Sequence, residues 1–332
     1  MLLLGVDGGG TYTRAAVAAP DGRLLGRGEA GSANTATAGA QSAGRAITAA
    51  VAAACAAANA APADIGAGCF GMAGLDRPDD EPVFRGVMEA QGLGGASALV
   101  NDAVIAWAAA TGGAPGIAVV AGTGSIAYGR NARGGEHRAG GWGAPIGDEG
   151  SAYWIACEAI RLVLAGVDRR LPPTALAHPL AQAAGLREPA DLCLLARADG
   201  HADGRPTEAA LAALAPVVAQ AAAEGQPEAE AIVRAAARHL VRLAGAVAHA
   251  LGMRGTRPDV FGLGSVLAPA AAGPTPVARA VDRMLRRSLG VPLRSTPHPP
   301  LAGALALAHA GGLGHVPDPQ VLQRWAAALC GS

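Results

Sequence analysis

The sequence predicts an α/β fold made of two related domains, and three observations carry that prediction. The chain has 332 residues, enough for one large domain or two medium-sized ones. Short apolar runs bounded by Gly, Pro and Asp alternate with longer Ala-rich segments whose apolar residues keep helical spacing. One order of elements then occurs twice: an apolar strand, a Gly-rich turn, two more strands and a helix. Such internal similarity predicts two domains of one architecture; coincidence in a chain with 48 glycines is the alternative.

The first copy of this pattern lies at the N-terminus. Strands are predicted over residues 2–6, 14–19 and 24–29, with the stretches VDGGGT (6–11) and PDG (20–22) between them. Pro20 sets φ, and Asp-Gly tolerates a positive φ, so the second stretch is typical of a turn. A helix over 35–60, a strand over 65–72, a helix over 80–91 and a strand over 98–100 follow. Asn101 and Asp102 lie at the exit of that last strand.

The second copy begins near residue 117. Strands are predicted over 117–121, 126–130 and about 137–140, with GTGS (122–125) as the Gly-rich turn. The chain is then mostly helical from 150 to 251. A strand over 260–263 runs into another Gly-rich turn, and helices over 277–288, 301–309 and 321–329 close the chain. We therefore divide the chain into domains at 1–112 and 113–317, and we expect the helix at about 318–330 to pack back on the first domain.

Composition excludes several classes of protein. The formal net charge is zero, which gives no electrostatic drive toward nucleic acid or an anionic membrane, and we expect neither as a partner. All 26 basic residues are Arg. A Walker-type P-loop and a Schiff-base enzyme both need a Lys, so neither fits this chain.

The five cysteines are scattered and form no C-x-x-C pair. This pattern favours reduced thiols in a cytoplasmic protein and disfavours a zinc or iron–sulfur site. The N-terminus lacks the basic region and cleavage site of a signal peptide, and no segment is apolar enough to be a spanning helix. We therefore expect a cytoplasmic protein.

Two Gly-rich turns are candidate phosphate-binding sites. A turn between two strands can present several backbone N–H groups to one point, and such nests bind phosphate oxygens without Lys. The residues concerned are Gly8, Gly9, Gly10, Thr11, Gly122, Thr123 and Gly124. Asp7 precedes the first turn, where its carboxylate could hold a Mg²⁺ that bridges phosphates. Tight hairpins with structural glycines are the alternative.

Asp102 is the candidate general base. A carboxylate at a strand exit could accept the proton of a substrate hydroxyl that attacks a phosphoryl group, and Asn101 beside it could orient it. The alternative is that Asp102 is the N-cap of a helix from Ala103.

A third candidate region combines an aromatic residue with carboxylates. Trp142 lies between Gly141 and Gly143, and Asp148-Glu149 follow. An apolar ring face beside acceptors for hydroxyls is typical of a sugar site. The alternatives are a core Trp142 and a helix N-terminus at 148–149. Asn34 similarly either binds a polar ligand or caps the helix from Thr35.

Taken together, these stretches resemble the BadF/BadG/BcrA/BcrD-type ATPase family, and within it the N-acetylglucosamine kinases of the actin-like sugar-kinase superfamily. The matching stretches are VDGGGT (6–11), GSAN (31–34), AGLDRP (73–78), NDA (101–103), AGTGS (121–125), GGWG (140–143), GDEGSAYWI (147–155), GLGS (262–265) and LAGAL (301–305). They run in family order across nearly the whole chain, and GGWG followed by GDEGSAYWI is the most specific.

The resemblance implies two RNase-H-like (actin-like ATPase) domains with a cleft between them, ATP and Mg²⁺ as cofactors, and phosphate transfer to the 6-hydroxyl of N-acetylglucosamine. It implies that Asp102 is the base and that Thr11 and Thr123 contact phosphates. It places Gly264 and Ser265 near the nucleotide. The residues it assigns to the sugar are Asn34, Asp102, Ser125, Gly141, Trp142, Gly143 and Asp148.

The sequence departs from the resemblance at one position. Ile126 stands where the animal-type N-acetylglucosamine kinases have Asn, so glucosamine and a muramic-acid-type sugar stay open as substrates. A reductase- or dehydratase-activating ATPase of the same family is a further alternative, but it needs Cys ligands for a cluster. A sugar-sensing repressor would need a DNA-binding segment ahead of Leu2. Family members are often dimers, so we expect a homodimer.

Overall fold

The structure is a computed structural model, and it describes residues 1–35, 39–75, 80–95, 97–196, 208–269, 273–296 and 298–331. The chain divides into two compact units. The first comprises Met1–Gly116, Ala132–Gly134 and Thr296–Ser332, and the second comprises Ile117–Asn131 and Gly135–Ser295.

The strands and helices follow in chain order. The strands are β1 (Leu2–Gly8), β2 (Thr13–Ala18), β3 (Leu24–Ala30), β4 (Ile65–Met72), β5 (Ser97–Asn101), β6 (Gly116–Ala121), β7 (Ser125–Arg130), β8 (Glu136–Gly140), β9 (Val260–Leu263) and β10 (Leu293–Ser295). The helices are α1 (Ala40–Ala57), α2 (Glu81–Ala90), α3 (Asp102–Thr111), α4 (Ala152–Val167), α5 (Ala177–Ala183), α6 (Glu208–Ala212), α7 (Ala215–Ala223), α8 (Pro227–Ala250), α9 (Pro276–Ser288), α10 (Pro300–Leu313) and α11 (Pro319–Cys330).

The first unit is built on a five-stranded sheet in the order β3-β2-β1-β4-β5. The pairs β1–β2 and β2–β3 are antiparallel, whereas the pairs β1–β4 and β4–β5 are parallel. Successive side chains of β1 face opposite sides of the sheet and lie in two separate hydrophobic clusters. Leu4 packs with the apolar side of α1, and Leu3 packs with Leu305 and Trp325 of α10 and α11.

Small residues let helices approach this sheet and one another closely. A Cβ on Gly28 of β3 would collide with the backbone of Ala50 in α1, and a Cβ on Gly303 of α10 would collide with the carbonyl oxygen of Ile105 in α3. This packing gives the Ala- and Gly-rich composition a structural role, because backbone lies directly on backbone at these points.

The second unit repeats the architecture with a sheet in the order β10-β9-β6-β7-β8. Read from the other end, this is the order of the first sheet, with β6 in the place of β1. Its core joins the sheet to α4, α8 and α9. Along α8, apolar residues at helical spacing are buried, among them Ile232, Ala236 and Leu240. Both sheets are three antiparallel strands followed by two parallel ones, so the predicted class of two RNase-H-like (actin-like ATPase) domains is confirmed.

The structure differs from the sequence analysis at the C-terminal end. Residues 296–317, which were assigned to the second domain, belong to the first unit. The physical reason is burial: Leu301 and Leu305 of α10 lie in the same core as Leu3, together with Trp325 of α11. Strand β10 was not predicted, because a three-residue strand carries almost no periodic signal. In the described ranges, no helix is long and apolar enough to cross a membrane.

Candidate functional site

The predicted groups of the first unit meet at one edge of its sheet. Strands β1, β4 and β5 are parallel, so their carboxyl ends coincide, and Gly8 pairs with Met72, which pairs with Asn101. The structure therefore gathers Asp7, the first Gly-rich turn and the Asn101-Asp102 exit along this edge. In open α/β sheets ligands bind outside the carboxyl ends of the strands.

The three glycines of the first turn have different roles. None has a positive φ. A Cβ on Gly8 would lie 2.9 Å from the Met72 sulfur, so a side chain here would displace the buried Met72. A Cβ on Gly10 would have no heavy atom within 4 Å. The backbone of Gly10 is therefore open to a ligand. Gly8 instead has the structural role that the tight-hairpin alternative gives to these glycines.

The loops after β3 and β4 are hydrogen-bonded to this turn. The backbone N–H of Ala33 donates to the carbonyl oxygen of Gly9 over 3.1 Å, and that of Ala73 donates to Gly8 over 2.7 Å. A Cβ built on Gly74 would lie 3.2 Å from Oδ1 of Asn34, so Asn34 lies beside the exit of β4. Thr11 is exposed at the tip of the turn. Of the stretch AGLDRP (73–78), residues 76–78 lie outside the described residues.

Asp7 is the candidate metal ligand. Burial raises the pKa of its carboxyl to about 6, although the Arg14 guanidinium on the neighbouring strand lowers it. In the described part of the chain, this carboxyl forms no hydrogen bond or ion pair. No group of three or more His, Cys, Asp or Glu gathers around a possible metal position among the described residues. One carboxylate with phosphate oxygens and water suits Mg²⁺, which keeps much of its own hydration, so Asp7 fits that ion.

Asp102 lies in the first turn of α3, but it is not the N-cap. Asn101 is the N-cap: its Oδ1 accepts from the backbone N–H of Ala103 over 3.0 Å, and its Nδ2 donates to the carbonyl oxygen of Leu75 over 3.3 Å. The N-cap alternative for Asp102 is therefore wrong. Asn101 ties the start of α3 to the exit of β4 and so sets where Asp102 stands, in the first turn of that helix.

The second Gly-rich turn is anchored on a helix N-terminus. The carbonyl oxygen of Gly122 accepts from the backbone N–H of Ala152 over 2.8 Å, and that of Thr123 accepts from Tyr153 over 3.3 Å. A Cβ on Gly122 would have no heavy atom within 4 Å, as at Gly10. The Thr123 side chain is exposed. The backbone N–H of Gly122 is not available to a ligand, because it donates to the carbonyl oxygen of Gly124.

Asp148 and Ser125 form a buried clamp behind this turn. Asp148 is 7% exposed and has a left-handed φ of 61°, which is unusual for a residue other than Gly. Its Oδ1 accepts from the backbone N–H of Ser125 over 3.1 Å, and the Ser125 hydroxyl donates to the carbonyl oxygen of Glu149 over 3.0 Å. A Cβ on Gly124 would lie 2.7 Å from Oδ2 of Asp148, so Gly124 is required by packing.

Gly264 and Ser265 lie next to this turn, at the exit of β9. A Cβ on Gly264, whose φ is +82°, would collide with the carbonyl oxygen of Ala121. The same Ala121 oxygen accepts a hydrogen bond of 2.9 Å from the backbone N–H of Val266. Ser265 is exposed at the same end. The predicted nucleotide-binding residues of the second unit are therefore contiguous.

Trp142 is not a core residue: its side chain is 75% exposed. The loop that carries it has left-handed backbone at Gly140, Gly141 and Gly143. A Cβ on Gly141 would lie 2.6 Å from Cδ1 of Ile126, so the loop passes directly over that side chain. The core interpretation of Trp142 is wrong. A large ring exposed on a loop is typical of a binding surface.

Three neighbours of the site were not predicted. Met72 packs against Gly8, Arg138 lies with its guanidinium carbon 5.3 Å from the centroid of the Trp142 ring, and Glu208 lies near Asp148. Burial, and then the charge of Asp148, raise the pKa of the Glu208 carboxyl. The short sequence distance between Arg138 and Trp142, four residues, could have indicated that these two side chains lie close together.

Comparison with known proteins identifies the family of this chain. The model of the BadF/BadG/BcrA/BcrD ATPase family matches residues 4–307. The chain belongs to the BadF/BadG/BcrA/BcrD ATPase family. The match covers both sheets and every site residue described above, so both units belong to the family domain.

Relatives of this family member carry kinase names. The chain is 31% identical over 265 residues to an N-acetylmuramic acid/N-acetylglucosamine kinase of Clostridium acetobutylicum, a match that covers 80% of this chain and 85% of the relative. It is 32% identical over 200 residues to an N-acetyl-D-glucosamine kinase of Dictyostelium discoideum, covering 58% of this chain and 63% of that protein. A solved structure from Chromobacterium violaceum, described provisionally as an N-acetylglucosamine kinase, has 30% identity and a TM-score of 0.71, and the match covers 92% of this chain and 98% of that one.

Proposed function

We propose that this protein is an ATP-dependent amino-sugar kinase that transfers the γ-phosphoryl group to the 6-hydroxyl of N-acetylglucosamine. The observation that carries the proposal is Trp142, whose 75% exposed indole stands on a loop with three left-handed glycines. An indole face packs against the apolar face of a pyranose. The names of the relatives from Clostridium acetobutylicum and Dictyostelium discoideum support the same sugar.

The Gly-rich turns supply the phosphate contacts in this proposal. Gly9, Gly10 and Thr11 of the first turn and Thr123 of the second bind phosphate oxygens through backbone N–H groups and hydroxyls. Gly264 and Ser265 line the nucleotide on the second unit. Gly8 and Gly124 act indirectly, because packing against Met72 and Asp148 fixes the backbone beside them. Such preorganised donors stabilise the charge that spreads over the phosphoryl oxygens in transfer.

Asp7 is proposed to hold the magnesium ion. A half-buried carboxyl with a raised pKa and no hydrogen-bond partner in the described chain gains most from a nearby cation. Mg²⁺, when bound, supplies charge neutralisation to the phosphate oxygens. Asp7 itself contributes one carboxylate oxygen at the end of β1, where the strand pairing holds it beside the turn.

Asp102 is proposed as the general base. It accepts the proton of the 6-hydroxyl at a carboxylate oxygen as that hydroxyl attacks the γ-phosphorus. The anchored start of α3 keeps the carboxylate in one place for this proton transfer. Asn34 and the 140–143 loop contact the sugar. Ser125 and Asp148, both nearly enclosed, hold that loop and the second turn together.

Three further properties belong to the same proposal. We expect a cytoplasmic enzyme, because the cysteines are scattered and the two with the lowest exposure, Cys55 and Cys69, are buried thiols. We expect a homodimer, on family resemblance alone. Glucosamine and N-acetylmuramic acid stay as alternative substrates because Ile126, an apolar residue, lies beneath the sugar loop.

The experiment is a coupled ADP-release assay with Mg·ATP on purified full-length protein. The sugars are N-acetylglucosamine, glucosamine, N-acetylmannosamine, N-acetylmuramic acid, glucose and no sugar, with mass spectrometry of the product. Strong turnover with an amino sugar over a low background supports the proposal, and NMR of the product assigns the phosphorylated hydroxyl. Equal ADP release in every well contradicts it and indicates an ATP-driven activator instead.

A further inference from the structure

Positive charge is concentrated in one segment of the second unit. Residues 238–294 contain nine Arg and only two acidic residues, both Asp, so with neutral His this segment has a net charge of +7, although the whole chain is formally neutral. Both Asp are already paired. Asp282 lies 2.8 Å from Arg286, and Asp259 lies 3.0 Å from Arg294. Such an uneven charge distribution attracts anions to the surface that carries it.

Two other Arg side chains of this segment line one groove. The groove lies where the C-terminal turns of α8 meet the C-terminal end of α9, and its volume is about 740 Å³. Arg242, His249 and Arg254 line it, and its described lining residues include no Asp or Glu. Within the described ranges, neither Arg242 nor Arg254 has a hydrogen bond or an ion pair to the protein. A concave groove of this volume suits a small molecule.

The helix C-termini account for only part of this charge. Cations in the last turn of a helix stabilise the negative end of its dipole, and Arg286 and Arg287 have that position in α9. Arg242 lies eight residues before Ala250, the last residue of α8, and the dipole effect falls off within the last turn. The position of Arg242 therefore needs another explanation.

Gly245 leaves the groove open between two of these side chains. Arg242, Gly245 and His249 are three and four residues apart, so they lie on one face of α8. Glycine is a poor helix former, and a Cβ built on Gly245 would have no heavy atom within 4 Å. Packing inside the protein therefore does not require glycine at this position, whereas an unobstructed groove does.

The groove lies at the opposite end of the second unit from its Gly-rich turn. Strand β7 begins beside that turn and ends before Asn131, whose Nδ2 donates to the carbonyl oxygen of Leu251, just past the end of α8. Helix α9 begins where the Thr275 hydroxyl donates to the carbonyl oxygen of Val266, next to the turn. It then extends about 18 Å to Ser288, which lines the groove. The groove is therefore separate from the candidate nucleotide-binding residues.

We propose that this groove is a second binding site and that its ligand is a phosphate dianion, either free or carried by a small molecule as a monoester. Two guanidinium groups match the charge of one phosphate dianion, and each presents paired N–H donors to its oxygens. The half-buried Leu289 supplies an apolar contact for the rest of a sugar phosphate or a nucleotide. This site does not depend on the proposed reaction.

The test follows the ring C–H signals of His249 by NMR in the full-length protein at constant pH. His249 lies in the groove, so its signals report binding there and not at the Gly-rich turns. The chain has eight His, and the spectrum of His249→Gln assigns the signals. The ligands are inorganic phosphate, AMP and N-acetylglucosamine 6-phosphate, and chloride at equal ionic strength is the control.

Four variants are compared with the wild type. Three change the groove: Arg242→Gln, Arg254→Gln and Gly245→Leu. The matched control is Arg238→Gln, because Arg238 is an exposed Arg of the same helix that does not line the groove. Thermal unfolding of each variant shows whether it is folded.

We expect a saturable shift of the His249 signals with phosphate and none with chloride. Arg242→Gln and Arg254→Gln should each raise the Kd for phosphate by about 10- to 100-fold, the range for a hydrogen bond to a charged group. Gly245→Leu should also weaken binding, whereas its unfolding temperature should not fall, because Leu is the better helix former and its Cβ meets open space. Arg238→Gln should change the Kd by less than about threefold, because salt screens a charge outside the groove.

Two results would overturn the proposal. The first is the absence of a saturable His249 shift with all three phosphate compounds. The second is an equal loss of affinity in Arg242→Gln and Arg238→Gln, which would mean that anions respond to the net charge of the segment and not to the groove. Among supporting results, tighter binding of AMP identifies a nucleotide ligand, tighter binding of N-acetylglucosamine 6-phosphate identifies a sugar phosphate, and equal binding identifies phosphate itself.

Discussion

A hydrogen bond of 3.1 Å joins the backbone N–H of Ser125, at the start of β7, to Oδ1 of Asp148, which lies 23 residues later in left-handed backbone. Both residues are almost fully buried. The Asp148 carboxylate therefore links the second Gly-rich turn to the loop that carries Trp142, through a contact that no local pattern contains.

The first prediction concerns this bond. Asp148→Ala removes the acceptor from a buried N–H and should lower the free energy of unfolding by about 1–3 kcal/mol, with loss of activity. Asp148→Asn keeps an oxygen acceptor and a residue that tolerates left-handed backbone, so it should be milder. Urea unfolding and kcat/KM for N-acetylglucosamine check both variants. Glu149→Gln is the control, because Ser125 contacts only the backbone of that residue. An Asp148→Ala protein as stable as the wild type contradicts the clamp.

A second prediction separates two glycines of the first turn. Gly8→Ala places a methyl group against Met72 and should cost about 1–3 kcal/mol of stability, as overpacking does. Because Met72→Ala is itself destabilising at this fully buried position, the double variant should cost less than the sum of the two single changes. Gly10→Ala meets open space and should unfold like the wild type, but its methyl group should raise KM for ATP. Thermal unfolding and ATP titration measure the two effects. Equal ATP affinity in Gly10→Ala and wild type would remove Gly10 from the nucleotide site.

The third prediction follows from the raised pKa of Asp7. A pKa raised from 3.8 to about 6 means that the folded chain binds this proton more tightly than the unfolded chain. The free energy of unfolding therefore falls as pH rises from about 4 to about 6, by on the order of 1–3 kcal/mol, and then levels off. Asp7→Asn has no such charge, so it should be more stable than the wild type at pH 8 and equal to it near pH 4.

The same variant tests the magnesium ligand. Thermal unfolding at pH 8 should show stabilisation by Mg·ATP in the wild type and much less in Asp7→Asn, which should also lack activity. Asp21→Asn is the control for the pH effect. Asp21 is exposed, and hydrogen bonds from Arg23 lower its pKa, so that variant should gain no stability at pH 8. An Asp7→Asn protein that is less stable than the wild type at pH 8 contradicts the predicted cost of the half-buried, ionised Asp7 carboxylate.

The fourth prediction assigns the proton transfer. Asp102→Asn should lower kcat by about 10²- to 10⁴-fold, the usual contribution of a general base. Sugar binding should persist, because the substitution keeps the size of the side chain and the Asn101 cap. Isothermal titration with N-acetylglucosamine and single-turnover assays with ATP separate the two steps. A variant with near wild-type kcat excludes Asp102 as the base. Asn101→Ala, which removes the cap, should instead cost about 1 kcal/mol of stability.

The fifth prediction compares two tryptophans. Trp142→Ala should leave unfolding unchanged within about 0.5 kcal/mol, as surface substitutions do, while it raises KM for N-acetylglucosamine. Trp107 is fully buried, and its Nε1 donates to the carbonyl oxygen of Gly116 over 3.1 Å. Trp107→Ala should therefore destabilise the protein by about 3–5 kcal/mol. Unfolding curves and sugar kinetics of the two proteins give the comparison, and strong destabilisation by Trp142→Ala would contradict its role as a surface residue.

The sequence alone determined the fold class and the composition of the candidate site. Apolar periodicity and turn residues are local, so the strands over β1 to β9 and the repeated order of elements were readable without coordinates. The same holds for the two Gly-rich turns and for the Asn101-Asp102 exit of β5, because strand exits in a parallel sheet share one edge.

The tertiary structure decided how those residues are used. It showed that a side chain at Gly8 would meet Met72, whereas one at Gly10 would meet open space. It also showed that Trp142 is exposed, that Asn101 and not Asp102 caps α3, and that α10 packs in the core of the first unit. Arg138 beside Trp142 also appeared only there. The physical reason is that burial and side-chain contact depend on residues far apart in the chain, which one sequence does not place next to each other.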